Sequence, residues 1–217
     1  MTEPRIVVLL SGSGTNLQAL IDAEAGGELG GKIVGVISNR PGVKGLQRAE
    51  AAGIDAQLLD HTGFSSRDAF DAALQSLIDQ YRPDLVVLAG FMRILTPAFT
   101  EHYQGRMLNI HPSLLPKYQG LHTHQRALDA GDDCHGVTVH FVTAELDGGP
   151  AVIQAIVPII EGDTAESLSA RVQVQEHKIY PMAVRWFAEG RLKYHQGKAW
   201  LDEQSLSVEG FQIDTRH

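Results

Sequence analysis

Up to residue 110 the chain alternates short β-branched runs with helical patterns, and this alternation constrains the fold more than any other feature. Residues 6–10, 32–38 and 56–59 read as strands, 84–89 as a strand buried on both faces, and 107–110 as another. Between them, 16–25, 43–52 and 67–81 read as helices. The last of these carries Phe70, Ala73, Leu74, Leu77 and Ile78 at the spacing of one helix face, with Ser65 and Asp68 as its N-terminal cap. Because βαβ connections are right-handed, this half is expected to form a parallel sheet with helices on both sides.

The pattern changes after Pro112. Residues 136–142 and 151–160 are strand-like and are joined by the turn-rich 145–150. With no helix between them, they are expected to pair antiparallel. Asp163 followed by Glu166 marks a capped helix start, and that helix should run to about Gly190, kinked or split at Pro181. Residues 192–201 read as a closing hairpin and 206–217 as a loose polar tail. The expected organisation is a single domain over 1–217, with a phosphate-binding βαβ half (1–110) and a second half (111–205).

Composition narrows the partners. Twenty-six acidic against eighteen basic residues give a net charge of −8, which argues against a nucleic-acid partner. A small anion is still compatible, since backbone dipoles hold one whatever the net charge. The lone Cys134 excludes a disulfide framework and a Cys-rich zinc site and fits a reducing compartment. The longest apolar run, 85–95, falls short of the ~20 residues that span a bilayer and contains Arg93. The first apolar run is too short for a signal-peptide core. The expectation is a cytoplasmic protein with no membrane partner.

Two stretches carry chemistry. Ser11-Gly12-Ser13-Gly14-Thr15-Asn16 follows the first strand and opens the first helix, so free N–H groups and the positive helix end face whatever occupies the loop. A dinucleotide fingerprint would need a small residue where Leu17 stands, and a triphosphate P-loop would need a Lys that does not occur before Lys32. The loop suits a single phosphate. In the second stretch, strand period two puts Asn109 and His111 on one face, and Pro112 leaves His111 at the strand end. The C-terminal edge of a parallel sheet is where open α/β folds bind ligands. An amide beside an imidazole suits acyl transfer, the amide stabilising an oxyanion and the imidazole moving protons. Asp147 reads as a turn former, or as the carboxylate that supports His111. His122, His124, His135 and His140 lack a diagnostic metal spacing, the first two sit in what reads as a surface loop, and no metal is expected. His140 reads as a sheet histidine.

Together these residues resemble the phosphoribosylglycinamide formyltransferases, the glycinamide ribonucleotide transformylases of purine biosynthesis. The resemblance rests on the Ser11 to Asn16 loop, Gly90-Phe-Met-Arg-Ile-Leu95, Asn109-Ile-His-Pro-Ser-Leu-Leu-Pro-Lys117, Val139-His-Phe-Val142 with Glu145-Leu-Asp-Gly-Gly-Pro150, and Gln173-Val-Gln-Glu-His177. It implies the formyltransferase fold: an open, Rossmann-like α/β structure whose mostly parallel sheet is flanked by helices and has an antiparallel extension in its C-terminal half. It further implies formyl transfer from 10-formyltetrahydrofolate to the glycine amine of the ribonucleotide, in the cytoplasm, by a monomer or weak homodimer. The small-molecule substrates would be the only partners. Asn109, His111 and Asp147 would be catalytic, the first two stabilising the oxyanion and the third supporting the charged imidazole. Gly14, Thr15, Asn16, Gln173 and Glu176 would bind phosphoribosylglycinamide. Arg67, Met92, Arg93, Ile94, Leu95, Asn109, Thr143, Ala144, Glu145 and Leu146 would bind the folate, making 111–205 the catalytic and folate half. Gln119, where relatives often have Pro, and Thr15, where Ser is frequent, are small departures. Two sister enzymes share this core: methionyl-tRNA formyltransferase would be expected to add a C-terminal domain, and formyltetrahydrofolate hydrolase an N-terminal one. A nucleotide sensor using only the glycine loop would leave Asn109, His111 and Asp147 unexplained.

Overall fold

The computed structural model describes residues 2–217. In chain order the elements are β1 (Arg5–Leu10), α1 (Thr15–Ala25), β2 (Lys32–Ser38), α2 (Lys44–Ala51), β3 (Ala56–Leu58), α3 (Arg67–Gln80), β4 (Leu85–Leu88), α4 (Pro97–His102) and β5 (Met107–His111). They continue with α5 (Thr123–Asp129), β6 (Cys134–Phe141), β7 (Ala151–Pro158), α6 (Ala165–Ala188), β8 (Leu192–His195), β9 (Lys198–Leu201), β10 (Gln204–Ser205) and β11 (Phe211–Asp214).

Eight strands form one sheet in the order β11-β7-β6-β5-β4-β1-β2-β3. β5–β6 and β6–β7 pair antiparallel and every other neighbouring pair is parallel, so β6 alone runs against the rest. The order reverses between β1 and β4, the position at which open α/β sheets part their loops and admit ligands. Strand alternation divides the core between the two faces. Val8, Leu10, Val87 and Leu108 pack with Leu17, Leu20, Val172 and Val184 of α1 and α6. Val7, Leu9, Val86 and Met107 pack with Phe70, Leu74 and Phe99 of α3 and α4. β8, β9 and β10 form a separate antiparallel sheet, which contains the expected hairpin.

Several expectations need correction. Ser66, not Ser65, caps α3 by accepting from the Ala69 N–H at 3.1 Å. Thr164, not Asp163, caps α6 in a reciprocal box with Ser167. Pro181 lies inside α6, which runs unbroken for 24 residues. Burial of Ile179, Tyr180, Ala183 and Val184 against the sheet outweighs the one hydrogen bond that proline cannot donate. The Tyr180 hydroxyl also ties the helix to the carbonyls of Leu88 (2.7 Å) and Leu108 (3.1 Å). Residues 206–217 are not a loose tail throughout, since β11 pairs parallel with β7 and Phe211 meets Trp186 edge to face at 5.7 Å. Two short helices, α4 and α5, stand where no helix is expected from the pattern.

Candidate active site

The glycine loop leads from β1 into α1. Gly14 has φ +73°, and a Cβ there would lie 2.6 Å from the Gly45 Cα, so α1 and α2 start this close together only with glycine at 14. No side chain caps α1, which leaves its first N–H groups open to a ligand. Gln173 of α6 donates from Nε2 to the Thr15 hydroxyl at 3.2 Å. The Asn16 Oδ1 is buried without a partner. Glu176 follows Gln173 by three residues on α6, and burial pushes its carboxyl up to about 7. Behind the loop, the Arg48 Nε donates to the Ser13 carbonyl at 2.7 Å.

Ser11 joins this loop to the segment after β4. Its N–H donates to the Gly90 carbonyl at 3.0 Å, its hydroxyl donates to Asn39 Oδ1 at 2.5 Å, and the same oxygen accepts from the Met92 N–H at 2.8 Å. The segment is anchored from the other side by Asp71, a buried carboxylate on α3. Its Oδ2 accepts from the Thr96 N–H at 2.7 Å, and its Oδ1 lies 3.8 Å from the Arg93 Nε. The Arg93 guanidinium stacks on Phe70 at 4.1 Å.

Between this segment and the β6–β7 loop lies a cavity of about 470 Å³. Met92, Arg93, Ile94 and Leu95 form one wall and Thr143, Ala144, Glu145 and Leu146 the other, while Asn109, His111 and Asp147 line it as well. Among the described residues, the N–H groups of Ile94 and Leu95 make no backbone hydrogen bond, which leaves free donors beside the apolar side chains of that wall. Arg67, the first residue of α3, stands outside this lining. Gly14, Thr15, Asn16, Gln173 and Glu176 also lie outside it, and Ser11 links the two regions.

At the cavity floor β5 carries Asn109 and His111 on one face. His111 is 7% exposed, and its Nε2 lies 2.8 Å from the Tyr118 carbonyl, to which an N–H there donates. Its Nδ1 faces Asp147 Oδ2 at 3.6 Å, an ion-pair separation too long for a direct hydrogen bond. The same carboxylate accepts from the Gly120 N–H at 3.0 Å. Asp147 reaches this position from a loop whose Gly149 lies so close to β6 that a Cβ would fall 1.8 Å from the Phe141 carbonyl oxygen. The arrangement presents an amide donor and an imidazole to one pocket, with a carboxylate behind the imidazole.

Other lining residues are not among those the sequence assigns to the site. Arg40 and Leu121 reach the cavity from separate loops, and Phe91 adds an aromatic wall beside Met92. His140, read as a sheet histidine, is one, yet it also faces the cavity. Its cross-strand register with Asn109 could not be read from spacing, because the two are 31 residues apart.

Comparison with known proteins gives consistent matches. The formyl transferase family model matches residues 4–184. Phosphoribosylglycinamide formyltransferase of Escherichia coli K12 is 57% identical over 209 residues, covering 96% of this chain and 99% of the relative. The trifunctional purine biosynthetic protein adenosine-3 of Bos taurus is 47% identical over 201 residues, which cover 92% of this chain and 20% of that longer protein. A solved phosphoribosylglycinamide formyltransferase from Coxiella burnetii superposes with a TM-score of 0.94 at 52% identity, covering 98% of this chain and all of the other.

Proposed function

The chain belongs to the formyl transferase family and transfers a formyl group to phosphoribosylglycinamide in purine biosynthesis, with 10-formyltetrahydrofolate as co-substrate; we propose that Asn109, His111 and Asp147 carry that transfer. The observation that supports these roles most directly is the convergence of all three on the cavity between residues 92–95 and 143–146.

The cavity fits the co-substrate. Its volume is in the range that holds compact ligands, and its walls combine apolar side chains with free backbone N–H groups suited to a flat heteroaromatic ring. When bound there, the formylated folate supplies the activated formyl group. The chain's own residues do the rest. The open N–H groups at the start of α1, with Thr15, Asn16 and Gln173, hold the phosphate, and Glu176 meets the ribose hydroxyls. The Asn109 amide donates to the oxygen on which charge develops as the amine attacks. His111 moves out of its bond to the Tyr118 carbonyl and donates a proton at the same oxygen or toward the departing nitrogen. Asp147, 3.6 Å from the ring, stabilises the imidazolium, and the proton lost by the attacking amine is relayed through water beside this carboxylate so that the folate nitrogen departs protonated as its bond to the formyl carbon breaks. Arg67 completes the folate end at the start of α3.

The test is spectroscopic detection of folate release. The signal should require both the formylated folate and glycinamide ribonucleotide, and initiator methionyl-tRNA should not replace the ribonucleotide. Asn109→Ala, His111→Ala and Asp147→Ala should each lower turnover by roughly 10²–10³, the usual loss for one oxyanion-stabilising group, without unfolding the protein. Near-normal turnover by His111→Ala would sink the assignment. No helix among the described residues is long and apolar enough to cross a membrane, and a cytoplasmic monomer or weak homodimer completes this reading. Sedimentation over a range of protein concentrations checks the last point.

A further inference from the structure

We infer that His140 is a positioning residue for the Asn109 amide: its Nε2 accepts one Asn109 N–H and so turns the other toward the cavity. The inference rests on the role proposed above for Asn109.

A carboxamide is nearly symmetric in shape but opposite in chemistry at its two ends. With its oxygen toward the reacting carbonyl, Asn109 would repel the charge it should stabilise. Something must therefore distinguish the two orientations. Asn109 of β5 and His140 of β6 are cross-strand partners, and Asn109 Nδ2 lies 3.4 Å from His140 Nε2, at the long end of hydrogen-bond range.

The chemistry of His140 decides which group it can face. Its Nδ1 lies 2.9 Å from the Phe141 carbonyl oxygen, which can only accept, so Nδ1 carries the hydrogen. The ring is 2% exposed, and burial holds its pKa below the ordinary histidine value. The Phe141 carbonyl and the Asp147 charge favour protonation of the ring, His111 opposes it, and burial, acting in the same direction as His111, outweighs the two that favour it. At neutral pH Nε2 is then a lone pair. A lone pair accepts from the Asn109 –NH₂ and repels its oxygen, so one orientation of the amide is selected. The tautomer is fixed by a backbone carbonyl one residue along, which is how a histidine is commonly held when its other nitrogen has a task.

Three side chains at position 140 separate this role from packing. His140→Leu fills the space without an acceptor, whereas His140→Gln can place Oε1 near the former Nε2. His140→Leu should lower kcat roughly ten- to a hundredfold, part of the loss of a whole oxyanion donor, with KM for both substrates changed by less than about threefold. His140→Gln should recover most of that loss. Added to Asn109→Ala, His140→Leu should cost nothing further, because the group it positions is already gone. In the wild-type protein, ring ¹⁵N shifts of His140 should report the Nδ1–H tautomer unchanged from pH 6 to 8. Full kcat in His140→Leu, equal losses in the Leu and Gln variants that track their thermal stability, additive losses with Asn109→Ala, or a hydrogen on Nε2 would each overturn the inference. Full activity of Asn109→Ala would instead remove the premise, and this outcome is distinguishable because it is measured with His140 intact.

Discussion

Glu176 is the clearest single-residue source of pH dependence. Its carboxyl is raised from 4.5 to about 7 because burial disfavours the charged form. A raised folded-state value contributes stability that is complete below about 4.5 and is lost as pH rises through about 7. Thermal midpoints of the wild type and of Glu176→Gln, followed across that window, should therefore diverge, with only the wild type losing stability from this group as pH rises. Parallel profiles would mean that the carboxyl titrates normally. Since Glu176 is also proposed to meet the ribose, the ribonucleotide KM of Glu176→Gln should rise more than its kcat falls.

The helices carry their predictions at their ends. Ser66→Ala removes the hydroxyl that accepts from the Ala69 N–H and should cost about 1 kcal/mol by urea unfolding, whereas Ser65→Ala, whose hydroxyl caps nothing, should cost almost nothing. The one-residue difference from the expected cap shows what a sequence leaves open, since adjacent serines offer the same chemistry and only backbone geometry chooses between them. The same holds for Asp163 and Thr164. Asp163 is instead engaged by the Arg171 guanidinium and the Ile160 N–H. Strand β2 was legible to the residue, because the β-branched run Ile33-Val34-Gly35-Val36-Ile37 between Lys32 and Ser38 leaves one reading. Helices α4 and α5 were not, being six and seven residues long and too short to show a period. β11 was illegible for another reason: Phe-Gln-Ile-Asp becomes a strand only because β7 offers it an edge. Truncation before Phe211 should uncover that edge and lower both solubility and the thermal midpoint. The site divides along the same line. The proposed trio Asn109, His111 and Asp147 is suggested by residue type and local motif, whereas Asp71 and His140 meet partners that only the folded sheet brings near.

For the whole molecule, acid is the telling stress. His124, His135, His140 and His177 are all held below the ordinary histidine value, chiefly by burial, and His135 is lowered to about 4. Depressed folded-state values give stability that is present above about 6.5 and is lost as pH falls toward 4, while the unfolded chain takes up the protons. Glu176 acts in the opposite direction over part of this range, but one carboxyl is set against four imidazoles. The net expectation is a fall in unfolding free energy below pH 6.5 with proton uptake, shallower in His135→Gln. A flat profile from pH 6.5 to 4.5 would contradict it. Ser11 has a consequence on the same scale. One hydroxyl, in the loop proposed to hold the phosphate, links Asn39 after β2 to Met92 in the wall of the cavity proposed for the folate, within a single sheet. With the two substrates seated as proposed, their separation is set by hydrogen bonds at one seam of a single sheet, not by the closing of two bodies. Most of the effective molarity that brings amine to formyl carbon is then present before either substrate arrives, and a displacement of an ångström at that seam would cost on the order of 10² in rate without touching a reacting group.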